Sequence, residues 1–173
     1  DPETNILRTT IACFAAAAGG ADSISILPYT IAHGLPDGFA RRIARNTQLV
    51  LADESHVGFV ADPMAGSGSV EALTDALCAS AWREFQAIEA EGGIMESLAA
   101  GRLQARIGAA AAARRTAVAE GKRPIVGTTL YPMAKERQVS VLDAERRPVP
   151  TDGAVFCEPL PPYRLDQFAE PAR

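Results

Sequence analysis

The stretch ADSISIL, Ala21–Leu27, decides the fold. It alternates with period two, is β-branched at Ile24 and Ile26, follows the glycine pair Gly19-Gly20 and stops at Pro28, the pattern of a strand. Alternation puts Ser23 and Ser25 on one face and Ile24 and Ile26 on the other. Upstream, Asn5–Ala18 reads as a helix with Ile6, Ile11 and Phe14 as its larger apolar members, ended by the glycines.

Downstream the same order repeats. Pro36 suits a first helical turn and Asp37 its positive dipole end. Phe39, Ile43, Val50 and Leu51 then share one side as far as Ala52. Val57–Ala61 reads as a second strand, closed by Asp62-Pro63. Ser69 is an N-cap candidate, and Val70, Leu73, Leu77, Ala81, Phe85 and Ile88 form a helical stripe that Gly92-Gly93 terminates. A short helix, Ile94–Ala100, and an alanine-rich one, Leu103–Glu120, follow, and Ile125–Thr129 is extended. From Met133 onward Pro148, Pro150, Pro159, Pro161, Pro162 and Pro171 rule out long helices. RQVSVL, Arg137–Leu142, is the strand-like piece of an arm lying along another surface.

Helix, strand, helix, strand, helix implies an α/β fold, a parallel sheet with covering helices. Two strands neither close such a sheet nor cover its edges, so the sheet requires further strands or a partner.

Composition narrows the function. The 173 residues suffice for one cored domain. Apolar residues make up 47% and aromatics 6%, a share rich in alanine that suits close helix packing rather than disorder. A net charge of −4 leaves no electrostatic footprint for nucleic acid or anionic lipid. The arginines at 41, 42, 45, 114 and 115 read as solvated helix faces. Cys13, Cys78 and Cys157 stand at no metal-ligand or redox spacing. Cys13 and Cys78 fall in apolar helical patterns, as buried reduced thiols of a cytoplasmic protein do. The apolar run Ile11–Ala18 is too short to cross a membrane.

The loop VADPMAGSGSVEALT, Val60–Thr74, imitates a phosphate loop. A Walker A loop needs Lys and Ser/Thr after its last glycine, and Ser69-Val70 stand there. A dinucleotide fingerprint needs a third glycine where Glu71 stands. What remains is the rim where a strand hands over to a helix, with weak anion binding at Gly66–Ser69 as the alternative. Glu54 is either a polar hook in a pocket or a solvated helix end. If Ser23 and Ser25 turn inward, a barrel built this way has an unusually small, polar wall with room for a threaded ligand. If they turn outward, they meet a helix or water.

Three stretches carry a family resemblance: NILRTTIACFAAAAGGADSISILPYT (Asn5–Thr30), GLPDGFARRIARNTQLVLADESHVGFVADPMAGSGSVEALTDAL (Gly34–Leu77) and IEAEGGIMESLAAGRLQARI (Ile88–Ile107). Together they resemble adenosylcobalamin-dependent methylmalonyl-CoA mutase, from about residue 4 to Pro132, and PLPPYR (Pro159–Arg164) is similar to the segment beyond. The resemblance implies the C-terminal portion of a (β/α)8 TIM barrel over 1–132 and a linker or Pro-rich arm over 133–173. It also implies an isomerase acting on acyl-CoA by a radical route.

Departures select within the family. The catalytic pattern Thr-Gln-Ser-Leu-His-Thr has Asp22 and Ser25 in its glutamine and histidine places, and a serine cannot take over a histidine's proton handling. Met64 replaces the aromatic after Asp-Pro. Neither His33 nor His56 sits in the cobalt-binding Asp-x-His-x-x-Gly pattern. The chain is most similar to the small, non-catalytic subunit, with no catalytic residue and no metal site of its own. The resemblance leaves Asp22, Ser23 and Ser25 as substrate-facing wall and Glu54 as a contact near the adenosyl group. It implies adenosylcobalamin in the holoenzyme and none on this chain alone. The implied partner is a catalytic mutase subunit or the missing barrel half. The alternative is a barrel fragment of a catalytic mutase subunit.

Overall fold

A computed structural model describes residues 1–135, 137–145 and 155–169. The expectations for Pro148, Pro150 and Pro171 lie outside these residues. The structure is helix-rich with one small two-stranded sheet, consistent with part of an α/β fold. It divides into two compact units, Asp1–Ser67 with residues 133–145, and Gly68–Pro132 with residues 155–169.

In the first unit, helix α1 (Thr4–Ala18) starts where Asp1 gathers its first donors, accepting from the backbone N–H of Glu3 and Thr4 and from the Thr4 hydroxyl. It ends in a Schellman motif: Gly20, at φ +78°, donates to Ala17, and Ala21 donates to Ala16. Strand β1 (Leu35–Pro36) pairs antiparallel with β2 (Val141–Leu142), inside the stretch the sequence marks as strand-like. Helix α2 (Gly38–Leu49) follows, with Asp37 as its N-cap accepting from the N–H of Ala40 at 2.8 Å. Helices α1 and α2 pack together through small side chains, Cys13 and Ala18 on one, Ala40 and Ala44 on the other, all buried. Small residues at such a contact let backbones approach closely.

Helix α2 does not end at Leu49. It widens into a π-turn, Val50–Glu54, closed by the i→i−5 bond from Ser55 N–H to Val50 at 2.9 Å. His56 then takes a left-handed conformation (φ 50°, ψ 36°), followed by a 3₁₀ turn, Val57–Phe59.

Both expected parallel strands are corrected here. Residues 21–27 are not a strand, and Asp22–Leu27 make no backbone hydrogen bond among the described residues. The side-chain alternation is real, with Ile24 and Ile26 half-buried and Ser23, Ser25 and Leu27 exposed, but a strand also needs a neighbour to bond. Val57–Ala61 is 3₁₀ turn and bend for the same reason. The small sheet that does form is antiparallel, not parallel.

In the second unit, α3 (Gly68–Ala90), α4 (Ile94–Ala99) and α5 (Arg102–Ala119) match the expected helices within two residues. Glu91 binds them into a clasp. Its carboxylate receives the Ser97 hydroxyl at 2.5 Å and pairs with Arg106, while its carbonyl accepts from Arg102 at 3.0 Å. Arg106 also reaches Glu84 at 3.5 Å. The Arg106 hydrogen bond, then that of Ser97, holds the Glu91 carboxyl below its ordinary range. Helix α3 has no buried residue, and Cys78 on it is exposed, against the expectation of a buried thiol. The apolar stripe is present, with Leu73, Leu77 and a stacked Trp82–Phe85 pair on the surface. Ile125–Thr129 contributes a turn and an isolated bridge from Val126 to Leu130 rather than a strand.

Candidate functional site

The first unit opens a cavity of about 620 Å³. Four segments line it, and each is aimed by local structure. Cys13 and Ala17, four apart, lie on one face of α1. The Schellman turn delivers Gly20 and Ala21, and the unpaired segment continues with Asp22, Ser23 and Ile24. The end of α2 supplies Gln48 and Leu49, and its π-turn adds Leu51 and Ala52. Residues from Val57 to Ala61 close the wall.

Small residues create the room, since Ala17, Gly20, Ala21, Ala52, Gly58 and Ala61 bring little volume. Three lining side chains are strongly polar: Asp22, Ser23 and Gln48. Cys13, 5% exposed, adds a thiol at the wall. Among the described residues, no arginine, lysine, histidine or tyrosine lines the cavity.

That inventory bounds the chemistry. An acyl-CoA carries carboxylate or phosphate charge, which needs a cation or a cluster of donors in a half-buried site. Here the one charge in the lining is the acid Asp22. Among the described lining residues none is an imidazole that could serve Ser23 as a base. The lining suits contact with an apolar group bearing a neutral hydrogen-bonding end.

The structure separates the residues that the sequence singled out. Asp22 and Ser23 share the cavity wall with Ala61; Ser25 is exposed and outside it. Glu54 is exposed at the last position of the π-turn and does not line the cavity. His56 is an exposed loop residue. Among the described residues no group of three or more His, Cys, Asp or Glu could hold a metal ion. Gln48 and Cys13 were not legible as site residues. Their helical spacing to Leu51 and Ala17 was available, but nothing in it says which face meets a cavity.

Comparison with known proteins is extensive. The family model described as Methylmalonyl-CoA mutase matches residues 1–152. The chain is 44% identical over 173 residues to the methylmalonyl-CoA mutase small subunit of Streptomyces virginiae, covering 100% of the chain and 27% of that protein. It is 44% identical over 151 residues to the small subunit of Propionibacterium freudenreichii subsp. shermanii, covering 87% and 23%. It is 38% identical over 145 residues to the methylmalonyl-CoA mutase of Escherichia coli (strain K12), covering 84% and 20%. The chain thus spans about a quarter of the length of the curated relatives it matches.

Proposed function

The chain belongs to the methylmalonyl-CoA mutase family, and on that footing we propose that it is part of a small, non-catalytic mutase subunit, structural in role and acting through a catalytic partner chain. The observation that carries the reading is the cavity lining: one acid, one hydroxyl and one amide, without a cation or imidazole. The small-subunit relatives support it, being the more similar at 44% against 38%.

In this proposal residues 1–132 are the C-terminal portion of a (β/α)8 barrel and residues 133–173 an irregular Pro-rich arm beyond it. Ala21–Leu27 and Val57–Ala61 become strands when neighbouring strands supply the missing ladder. The free backbone groups of Asp22–Leu27 support this, because so long a run of unbonded donors and acceptors requires either water or another strand. Ser23 and Ser25, on one face of that strand by alternation, and Asp22 at its entry form the substrate-facing wall. Glu54 is a rim contact toward the adenosyl group.

The family implies adenosylcobalamin. The described residues do not fit cobalt ligation, since His56 is exposed in a left-handed turn with no assembled donor set around it. We therefore assign the cofactor and the acyl-CoA isomerisation to the partner, in the cytoplasm. No helix of the described residues is long and apolar enough to cross a membrane.

The test is a mutase assay of the purified chain with methylmalonyl-CoA and adenosylcobalamin, alone and mixed with a catalytic mutase chain. No turnover alone, with co-elution in the mixture, is the expected result. Turnover by the chain alone overturns the reading in favour of a catalytic barrel fragment, for which the 38% match to a protein named simply as the mutase speaks.

A further inference from the structure

Residues 155–169 contain a 3₁₀ turn, Leu165–Phe168, and otherwise neither helix nor strand. They are nonetheless tied to α5 at two separated places. Near the helix start, the amide of Gln104, 8% exposed, donates to the carbonyl of Glu158 at 3.1 Å and to that of Leu98 at 3.0 Å. Near its far end, the guanidinium of Arg115 lies 4.5 Å from the ring centroid of Phe168. Tyr163 packs on Phe168 with centroids 5.4 Å apart, and Arg114 reaches the Tyr163 hydroxyl at 3.5 Å.

The Gln104–Glu158 and Arg114–Tyr163 contacts are matched in length. From Gln104 to Arg114 the helix rises about 15 Å at ~1.5 Å per residue. From Glu158 to Tyr163 a polyproline II chain advances about 15 Å at ~3.1 Å per residue. Pro159, Pro161 and Pro162 fix φ in that range, and a residue preceding proline is pushed toward the same conformation. The spacing that the prolines favour thus suits these two contacts, which follow the same order along both segments.

We propose that residues 155–169 form a strap that docks in cis along α5 and detaches from it as a unit, with Gln104 and Arg115 as its anchors and the prolines of PLPPY as its spacer. The inference is independent of the mutase reading. Docking rests on an amide–carbonyl bond, an arginine–aromatic stack and half-buried Tyr163, Leu165 and Phe168 rather than on a fully buried core, and Val155 and Phe156 are 77% and 57% exposed. A contact of that kind opens without unfolding the helix beneath it.

Hydrogen exchange of the 173-residue chain tests this, read for 155–169 and for α5 separately, against a free peptide of residues 155–169. In the parent chain the segment exchanges more slowly than the free peptide. Arg115→Ala speeds exchange at Tyr163–Ala169 about 2- to 5-fold, the value of one exposed cation–π contact, and leaves α5 unchanged. Gln104→Ala speeds it from the Glu158 end, and joint Pro161→Gly and Pro162→Gly replacement speeds it at both ends with both anchors intact. Exchange as fast as the free peptide in the parent chain overturns the proposal. So does indifference to these variants, or an equal loss of protection in α5, which would make the segment part of the helical body.

Discussion

Asp37→Ala removes the acceptor that starts α2, and the structure makes this a costly cap to lose. The N–H of Ala40 donates to Asp37 at 2.8 Å, and Ala40 is fully buried against α1. An average N-cap loss is about 1 kcal/mol, but a buried donor left without a partner adds its own desolvation, so the expected loss is about 2 kcal/mol, at the top of the cap range. Asp37→Asn keeps an oxygen in the same place and gives up only the charge at the positive helix end, about 0.3–1 kcal/mol. Urea unfolding of the parent and both variants measures the two differences from midpoints at constant slope. Hydrogen exchange should locate the loss in α2 and the cavity wall it carries. A change below about 0.5 kcal/mol for Asp37→Ala, or an equal loss for Asp37→Asn, refutes the reasoning, since the cap bond would then carry no weight beyond the charge.

Two further outcomes follow from local features. Because Arg106 and Ser97 hold the Glu91 carboxyl below its ordinary value, Glu91 stabilises the native state above its unfolded-state pKa. That contribution disappears as pH falls through the depressed native value, so Glu91→Gln should flatten the acid limb of stability measured by unfolding below about pH 5; an unchanged acid limb would count against the clasp. His56, left-handed at φ 50°, should accept glycine within about 1 kcal/mol of the parent, whereas His56→Val should lose about 1–2 kcal/mol by thermal or urea unfolding. Equal effects of the two variants would show that the backbone there relaxes freely.

What the sequence disclosed, and what it withheld, divides along physical lines. Helices were legible because their stop signals are local. Gly19-Gly20 and Gly92-Gly93 end α1 and α3 in turns that need positive φ, and the structure places Gly20, Gly92 and Gly93 there. Strands were half legible. The alternation of Ser23, Ile24, Ser25 and Ile26 survives as alternating exposure, but a ladder is a property of two segments, and no described residue pairs with this one. Burial on α3 was misread for a related reason. A stripe such as Leu73, Leu77 and Phe85 tells which face is apolar and not what covers it, so Cys78 was expected inside and stands outside. At the cavity, alternation singled out Ser23 and the resemblance Asp22, and both line it. Gln48 was missed because helical spacing gives the face it lies on and not what that face meets. No composition signal marks a π-turn, since VLADE would serve equally in an ordinary helix.

That widening has an arithmetic of its own. A regular helix turns about 100° per residue, and an i→i−5 loop accommodates one residue more than an ordinary turn does. Shortening Val50–Glu54 by a single codon would let the coil run on evenly to Ser55. The exit would then be reset by about 100°, and the chain that now folds back over the hollow would leave in another direction. The surplus residue therefore works as a steering joint: it is tolerated for where it sends the next ten residues, and a deletion there would be silent in helix content yet audible in the shape of the chamber.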